Sequence, residues 1–205
     1  MVAGATTFTA LTTEGKVYTW TPDLRFPNCL GRRSHAGQPA KYPCPVPYLS
    51  HIKITHVRSG GYLTAAVSED GELFLWGYAN PTGNNNFAIF EERIHVRNLS
   101  LPSNPQDYED DYVKEVPVTI NGRKAIVTHV AVGDGHILIA AEANRGRERA
   151  VFAMGEGGWG QLGIGGRPTF VGSLQEVVAL RGKKVKGLTC AGWSSWVVVD
   201  EEDED

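Results

Sequence analysis

The chain has 205 residues, 41% of them hydrophobic and 21% charged, which suits one globular domain with a sizeable core. No apolar run approaches the roughly 20 residues that a membrane-spanning helix needs, and no signal-peptide pattern opens the chain. The three cysteines favour a reduced protein. We therefore expect an intracellular protein, cytoplasmic or nuclear, that does not contact a membrane.

Charge is distributed unevenly along the chain. The formal net charge is −3, but the last six residues, 200–205, are all acidic and form a tail that we expect to be solvated. The rest of the chain is only weakly basic. Such a balance is poorly suited to nucleic acid, so we expect a protein partner instead.

The first predicted unit covers about residues 2–56. It contains a small-residue corner at Gly4, an apolar strand at 8–11, a tight turn ending at Gly15 and a second strand ending at Trp20. Glycine supplies the positive φ that such hairpin turns require. The unit therefore begins as a corner followed by a β-hairpin.

The second predicted unit, about 57–129, repeats this order. Gly60 follows Gly4, Gly71 follows Gly15 and Trp76 follows Trp20, each at an offset of 56 residues. A shared register of this kind indicates an internal repeat.

A predicted insertion at about 78–120 interrupts the second unit. It is acidic, contains two tyrosines and is flanked by prolines. Long loops on a rigid scaffold often carry function, although a solvated loop is the competing interpretation. Its candidate partner-binding residues are Tyr108, Asp110, Asp111 and Tyr112.

The third and fourth predicted units cover about 130–187 and 188–199. Gly133 follows Gly60 at an offset of 73 residues, and Gly192 follows Gly133 at an offset of 59. His136 stands at the same corner as Gly133. Further glycines, Gly160 and Gly163, mark a second corner in the third unit.

Two apolar runs, 63–67 and 137–141, are nearly continuous instead of alternating with polar residues. Continuous runs are typical of strands that are covered on both faces. No helix-period segment is long enough to cover them, which leaves sheets stacked on sheets. We predict an all-β fold, a partial β-propeller of about three full blades plus a strand of a fourth.

A nucleotide-binding motif is present in letters only. Gly155, Gly157 and Gly160 spell G-x-G-x-x-G after a predicted strand. A phosphate site also needs a helix directly after the loop, and Gly163 and Pro168 make a helix there unfavourable. We therefore expect no cofactor.

Metal-binding and catalytic patterns are weak. The cysteines and histidines at 29, 35, 44 and 51 lack a zinc-site spacing, and no G-x-S-x-G element supports a triad of histidine, serine and Asp134. We expect no metal and no catalysis. An enzyme of unknown class is the least favoured alternative.

The tryptophans fall into two groups. Trp20 and Trp76 stand at equivalent strand ends and are expected to pack between blades. Trp159 and Trp193 stand at corners where a propeller meets solvent, so they are candidate anchors for a partner.

Three stretches carry a family resemblance: GQLGIG at 160–165, GDGH at 133–136 and EDGELFLWG at 69–77. They resemble the repeat of the regulator-of-chromosome-condensation family, and the resemblance covers most of 2–199. It implies a propeller, typically of seven blades. We therefore expect this unit to need further blades or self-association to close.

The resemblance also implies functions. Relatives act as adaptors, including substrate-recognition propellers of F-box ubiquitin ligases, and others are guanine-nucleotide exchange factors for a small Ran-like GTPase. We predict a non-catalytic interaction scaffold or adaptor, with exchange activity as the alternative. The expected partner is a ligase component, a substrate or a small GTPase; since this chain carries no F-box, a ligase role would need a further segment or a separate chain.

Overall fold

The structure, a computed structural model, describes residues 1–80, 86–91 and 112–200. Its strands, in chain order, are β1 (Val2–Ala3), β2 (Phe8–Leu11), β3 (Val17–Trp20), β4 (Cys44–Pro45), β5 (Ile54–Gly60), β6 (Leu63–Ser68), β7 (Leu73–Gly77), β8 (Lys114–Val116), β9 (Thr119–Ile120), β10 (Arg123–Lys124), β11 (Ile126–Val132), β12 (His136–Ala143), β13 (Glu148–Glu156), β14 (Phe170–Glu176), β15 (Val185–Ala191) and β16 (Ser194–Val199). The helical segments are short: α1 (Ala88–Glu91) and 3₁₀ turns at Pro27–Leu30, Pro47–Leu49 and Val178–Leu180.

The strands form three four-stranded antiparallel sheets in chain order: β1–β4, β5–β8 and β11–β14. A two-stranded sheet, β15 with β16, follows them, and β9 pairs with β10 separately. The predicted all-β, partial propeller is confirmed. The fourth sheet has two strands where the sequence predicts one, because β15 alternates exposed and half-buried residues and so lacks the continuous apolar run of β6 and β12.

Strand β6 shows why the apolar runs are continuous. All six of its residues are buried. Leu63 and Ala65 pack into a cluster with the third sheet, whereas Ala66 packs into a cluster with the first sheet. Both faces of this strand are therefore covered by a neighbouring sheet.

Strand β12 repeats this arrangement one sheet further along. Ile137 and Ile139 face the second sheet, and Leu138 and Ala140 face the fourth. The three apolar clusters of the described residues thus lie between consecutive sheets. The stack is an open, partial propeller.

The segment interpreted as an insertion also completes the second sheet. Its strand β8 pairs with β7, and Phe87 is fully buried, stacked on Phe170 at 5.9 Å between ring centroids. Tyr112 is half-buried. The other candidate residues of the segment, Tyr108, Asp110 and Asp111, lie outside the described residues.

The corner glycines are contact points between sheets. A Cβ atom on Gly60 would lie 2.5 Å from the Val132 carbonyl oxygen and 2.6 Å from that of Gly133. A Cβ on Gly4 would lie 2.8 Å from the Gly61 oxygen. Because carbon atoms essentially never approach backbone oxygens this closely, these sheets could not pack as they do with a larger residue at either corner.

Among the described residues, no helix has the length and apolar character needed to cross a membrane.

Replacing Gly60 with alanine tests the corner contact. We expect Gly60→Ala to lower the free energy of unfolding by about 1–3 kcal/mol, because the new methyl group forces the second and third sheets apart. Urea denaturation followed by tryptophan fluorescence measures the change.

Gly187→Ala is the matched control. Gly187 lies in β15, and its Cβ would meet only the Val198 side chain at ordinary contact distances of 3.7 and 3.8 Å. We expect a change within about 1 kcal/mol. Equal losses for the two variants would contradict the proposed corner contact.

Candidate partner-binding site

The loop between β13 and β14 begins with the G-x-G-x-x-G letters but forms successive turns. The Gly160 N–H donates to the Gly157 oxygen at 2.8 Å, and the Gly163 N–H donates to the Gly160 oxygen at 3.1 Å. Positive φ angles at Gly160 (81°) and Gly163 (65°) permit these turns. The helix that a phosphate site requires does not follow the motif, so its glycines shape a corner.

Two exposed tryptophans meet at this corner. Trp159 lies in the β13–β14 loop and Trp193 in the turn between β15 and β16, and their rings stack at 6.1 Å with an interplanar angle of 24°. Their exposed fractions are 74% and 59%. A large aromatic surface left in water is typical of a binding anchor.

The tryptophan pair separates two clefts. The first has a volume of about 490 Å³ and is lined by both rings together with Tyr62, Asp134 and Glu156. The second, about 390 Å³, lies on the other side of the pair and is lined mainly by apolar side chains: Leu138, Leu162, Val177, Leu180, Trp196 and Val197. We call the first the acidic cleft and the second the apolar cleft.

A buried histidine connects the third and fourth sheets below the tryptophan pair. His136 is fully buried, and its Nε2 atom lies 2.9 Å from the Ser195 hydroxyl. Ser195 occupies the position in the fourth unit that His136 occupies in the third, 59 residues earlier. Corresponding repeat positions are thus joined by a hydrogen bond.

The His136–Ser195 pair has the spacing of a base and a nucleophile, but its surroundings favour a structural role. The second ring nitrogen lies 3.5 Å from the backbone oxygen of Asp134, not from a carboxylate. Burial lowers the pKa of His136 and raises the pKa of the adjacent Cys190 thiol. A neutral imidazole and an un-ionised thiol are the forms that burial stabilises.

The remaining predicted repeat residues occupy turns and sheet contacts. Gly15 and Gly71 have φ angles of 82° and 75° in the hairpin turns, and Gly192 has 53° beside Trp193. Trp76 is fully buried between the first two sheets and lies against Gly31, whereas Trp20 is half-buried and stacks on Phe8.

The sequence did not identify two buried polar side chains. Arg32 is 1% exposed and donates to the Gln38 oxygen at 2.9 Å and the Thr19 oxygen at 3.0 Å, which holds the long β3–β4 connection. No pattern distinguishes it from the adjacent Arg33. Gln161 is 6% exposed, and its Oε1 atom accepts the Trp159 N–H at 3.0 Å; its place in the GQLG stretch was the available signal.

Within residues 1–80, 86–91 and 112–200, no three histidine, cysteine or acidic side chains lie close enough together to hold a metal ion.

Comparisons with known proteins find relatives over parts of the chain. No family model matches it. Over 69 residues, 34% of the chain, it is 36% identical to RCC1 domain-containing protein RUG3, mitochondrial, from Arabidopsis thaliana. Over 157 residues, 77% of the chain, it is 26% identical to the E3 ubiquitin-protein ligase HERC2 from Mus musculus. These matches span 15% and 3% of the two relatives, so the chain corresponds to a small part of each.

Solved structures share its fold. Prp20p from Saccharomyces cerevisiae, which is yeast RCC1, matches 98% of this chain with 43% of its own, at a TM-score of 0.64 and 17% identity. Its crystal structure was described together with its binding to Gsp1p and histones. At this identity the similarity concerns the fold alone.

Acid should weaken the fold through His136. Because burial lowers the pKa of His136 in the folded state, the unfolded chain takes up the proton first once pH falls below about 6.5. We expect the free energy of unfolding to decrease below that pH, by at most about 1.4 kcal/mol per pH unit for one histidine. Burial also lowers the pKa of His56, which adds in the same direction.

Urea denaturation between pH 7.5 and 5 measures this dependence. His136→Leu should flatten it, since Leu63 fills the corresponding position of the second sheet. His51→Gln is the control, because His51 is exposed and its replacement should leave the dependence unchanged. A His136→Leu profile identical to that of the unmodified protein would contradict the assignment.

Proposed function

Because the chain is a divergent and partial member of the regulator-of-chromosome-condensation (RCC1) repeat family, we propose that it is a non-catalytic scaffold that binds a protein partner at the Trp159–Trp193 corner. RCC1-type propellers are generally interaction or exchange modules and not catalysts of covalent chemistry. The rigid stack of sheets supplies the frame, and the corner loops supply the contacts.

The stacked, exposed tryptophans are the single observation that carries this proposal. They come from different sheets, yet their rings lie 6.1 Å apart with more than half of each side chain exposed. Exposure of two indole rings is unfavourable in water, and burial of each would contribute on the order of 2–3 kcal/mol to association. A partner that covers the pair would therefore gain much of its affinity from two residues.

The scaffold role is also supported by the internal chemistry of the fold. The one described serine–histidine hydrogen bond joins two sheets, and the two partners stand at matching repeat positions. Cys29 is buried, and burial raises the pKa of its thiol to about 11. These groups are used for packing between sheets, which supports a function carried by surface contacts.

A role in a ubiquitin ligase is the first finer hypothesis. The similarity to HERC2, an E3 ubiquitin-protein ligase, extends over 157 residues of this chain. In that role the Trp159–Trp193 corner would contact a substrate or another ligase component. The acidic segment with Tyr108, Asp110 and Asp111 remains a second candidate contact.

Guanine-nucleotide exchange on a small GTPase is the second finer hypothesis. It is favoured by the shared fold with Prp20p, whose binding to Gsp1p has been described. The compartment is predicted to be the cytoplasm or the nucleus; the relative RUG3 is named as mitochondrial.

A pull-down from cell extract tests the scaffold proposal. We expect the double variant Trp159→Ser, Trp193→Ser to lose partners that the unmodified protein retains, because the exposed indole surface is gone. Tyr42→Ser is the matched control, since Tyr42 is 57% exposed in another loop. Thermal unfolding of all three proteins checks that the fold is unchanged.

Identical partner sets for the double variant and the unmodified protein would overturn the proposed site. A further deletion of residues 98–116 shows whether the acidic segment contributes separately. Loss of the same partners in the Tyr42→Ser control would indicate that the effect is not specific to the corner.

Release of a fluorescent guanine nucleotide from a Ran-like GTPase distinguishes the two finer hypotheses. An exchange factor accelerates release in proportion to its concentration, whereas an adaptor leaves the rate at its intrinsic value. We expect no acceleration from this chain. Acceleration that disappears in the Trp159→Ser, Trp193→Ser variant would replace the adaptor hypothesis with exchange at the same corner.

A further inference from the structure

We propose that the acidic cleft binds an arginine side chain of the partner, with the guanidinium against the Trp159–Trp193 pair and its N–H groups directed at Asp134 and Glu156. This inference rests on the proposed function, because it specifies the chemistry of the partner at the same corner.

The charges of the cleft select a cation. Asp134 and Glu156 line it, and none of its lining residues is a lysine, an arginine or a histidine. Asp134 is exposed and Glu156 is half-buried. Among the described side chains neither carboxylate forms a salt bridge, so their attraction for an incoming cation is not already neutralised.

The aromatic lining selects a flat, weakly hydrated cation. Trp159, Trp193 and Tyr62 all line the same cleft, and the electron-rich face of an indole attracts a cation within about 6 Å. Guanidinium stacks on such a face and at the same time donates two parallel hydrogen bonds to a carboxylate. The smaller, strongly hydrated ammonium of lysine cannot do both equally well.

A buried amide supplies an independent indication of a ligand. Gln161 lines the cleft and is 94% buried, and the Trp159 N–H occupies its Oε1 atom. Its Nε2 atom has no hydrogen-bond acceptor among the described residues. A buried donor without an acceptor is unfavourable, and a peptide carbonyl next to the bound arginine would provide one.

The size of the cleft fits this occupant. Its volume of about 490 Å³ lies within the range of pockets that hold small ligands. It therefore has room for one long side chain and the adjoining peptide group, but not for a folded element of the partner.

Binding of short glycine–serine peptides tests the proposal. One peptide carries a single arginine, a second has glutamine and a third has lysine at that position. The protein is labelled with 5-fluorotryptophan, which gives one ¹⁹F signal for each of its five tryptophans. Trp159→Phe and Trp193→Phe identify the two signals of the pair.

We expect the arginine peptide to shift both signals saturably, and the other two peptides to bind at least about fivefold more weakly. Glu156→Gln and Asp134→Asn should each weaken binding of the arginine peptide by about five- to tenfold, because each removes a charged acceptor. Glu14→Gln and Asp70→Asn, which neutralise exposed carboxylates in hairpin turns, are the matched controls and should change nothing. Binding should also weaken as salt concentration rises.

Equal binding of the arginine and glutamine peptides, or of the arginine and lysine peptides, would overturn the proposal. Unchanged affinity in both the Glu156→Gln and the Asp134→Asn variants would do the same. Failure of the wider function is distinguishable, because the pull-down depends on the tryptophans and not on arginine. Partners lost from the tryptophan variant but no peptide selectivity would leave the scaffold function intact and exclude the arginine.

Discussion

The strands at the centre of each sheet are apolar on both faces, and the rest of the structure depends on covering those faces. Ile137 and Ile139 point to one neighbour and Leu138 and Ala140 to the other, so a single sheet would expose one row to water. Each isoleucine or leucine left exposed would forgo about 1.5–3 kcal/mol. The sheets consequently stack in chain order, and stability is shared among the interfaces between neighbours.

Stacking at this distance requires small residues where the sheets converge. Gly60 lies so close to the Val132 and Gly133 carbonyls that a methyl group cannot be accommodated, and Gly4 is similarly close to Gly61. The His136–Ser195 hydrogen bond lies along the same line of corners. Positions that form a repeat in the sequence are therefore positions of contact between sheets in space.

The same geometry creates the candidate site. Loops that leave the corners converge on one side of the stack, which brings Trp159 and Trp193 together although 34 residues separate them in the sequence. A frame whose strands are fixed on both faces holds such loops with little freedom, and a pre-organised surface loses less entropy on binding. The frame and the binding surface thus have one physical origin.

The sequence by itself determined the architecture, because continuous apolar runs and glycines in register are local patterns with a single packing solution. It also identified Trp159 and Trp193 individually, from their places beside corner glycines. Only the tertiary structure decided that their rings stack, that Asp134 and Glu156 line the same cleft, and that Gln161 is buried beside them. Likewise, nothing local distinguishes buried Arg32 from Arg33. Such pairings depend on how separate sheets meet, and the distances between them are set by packing rather than by spacing along the chain.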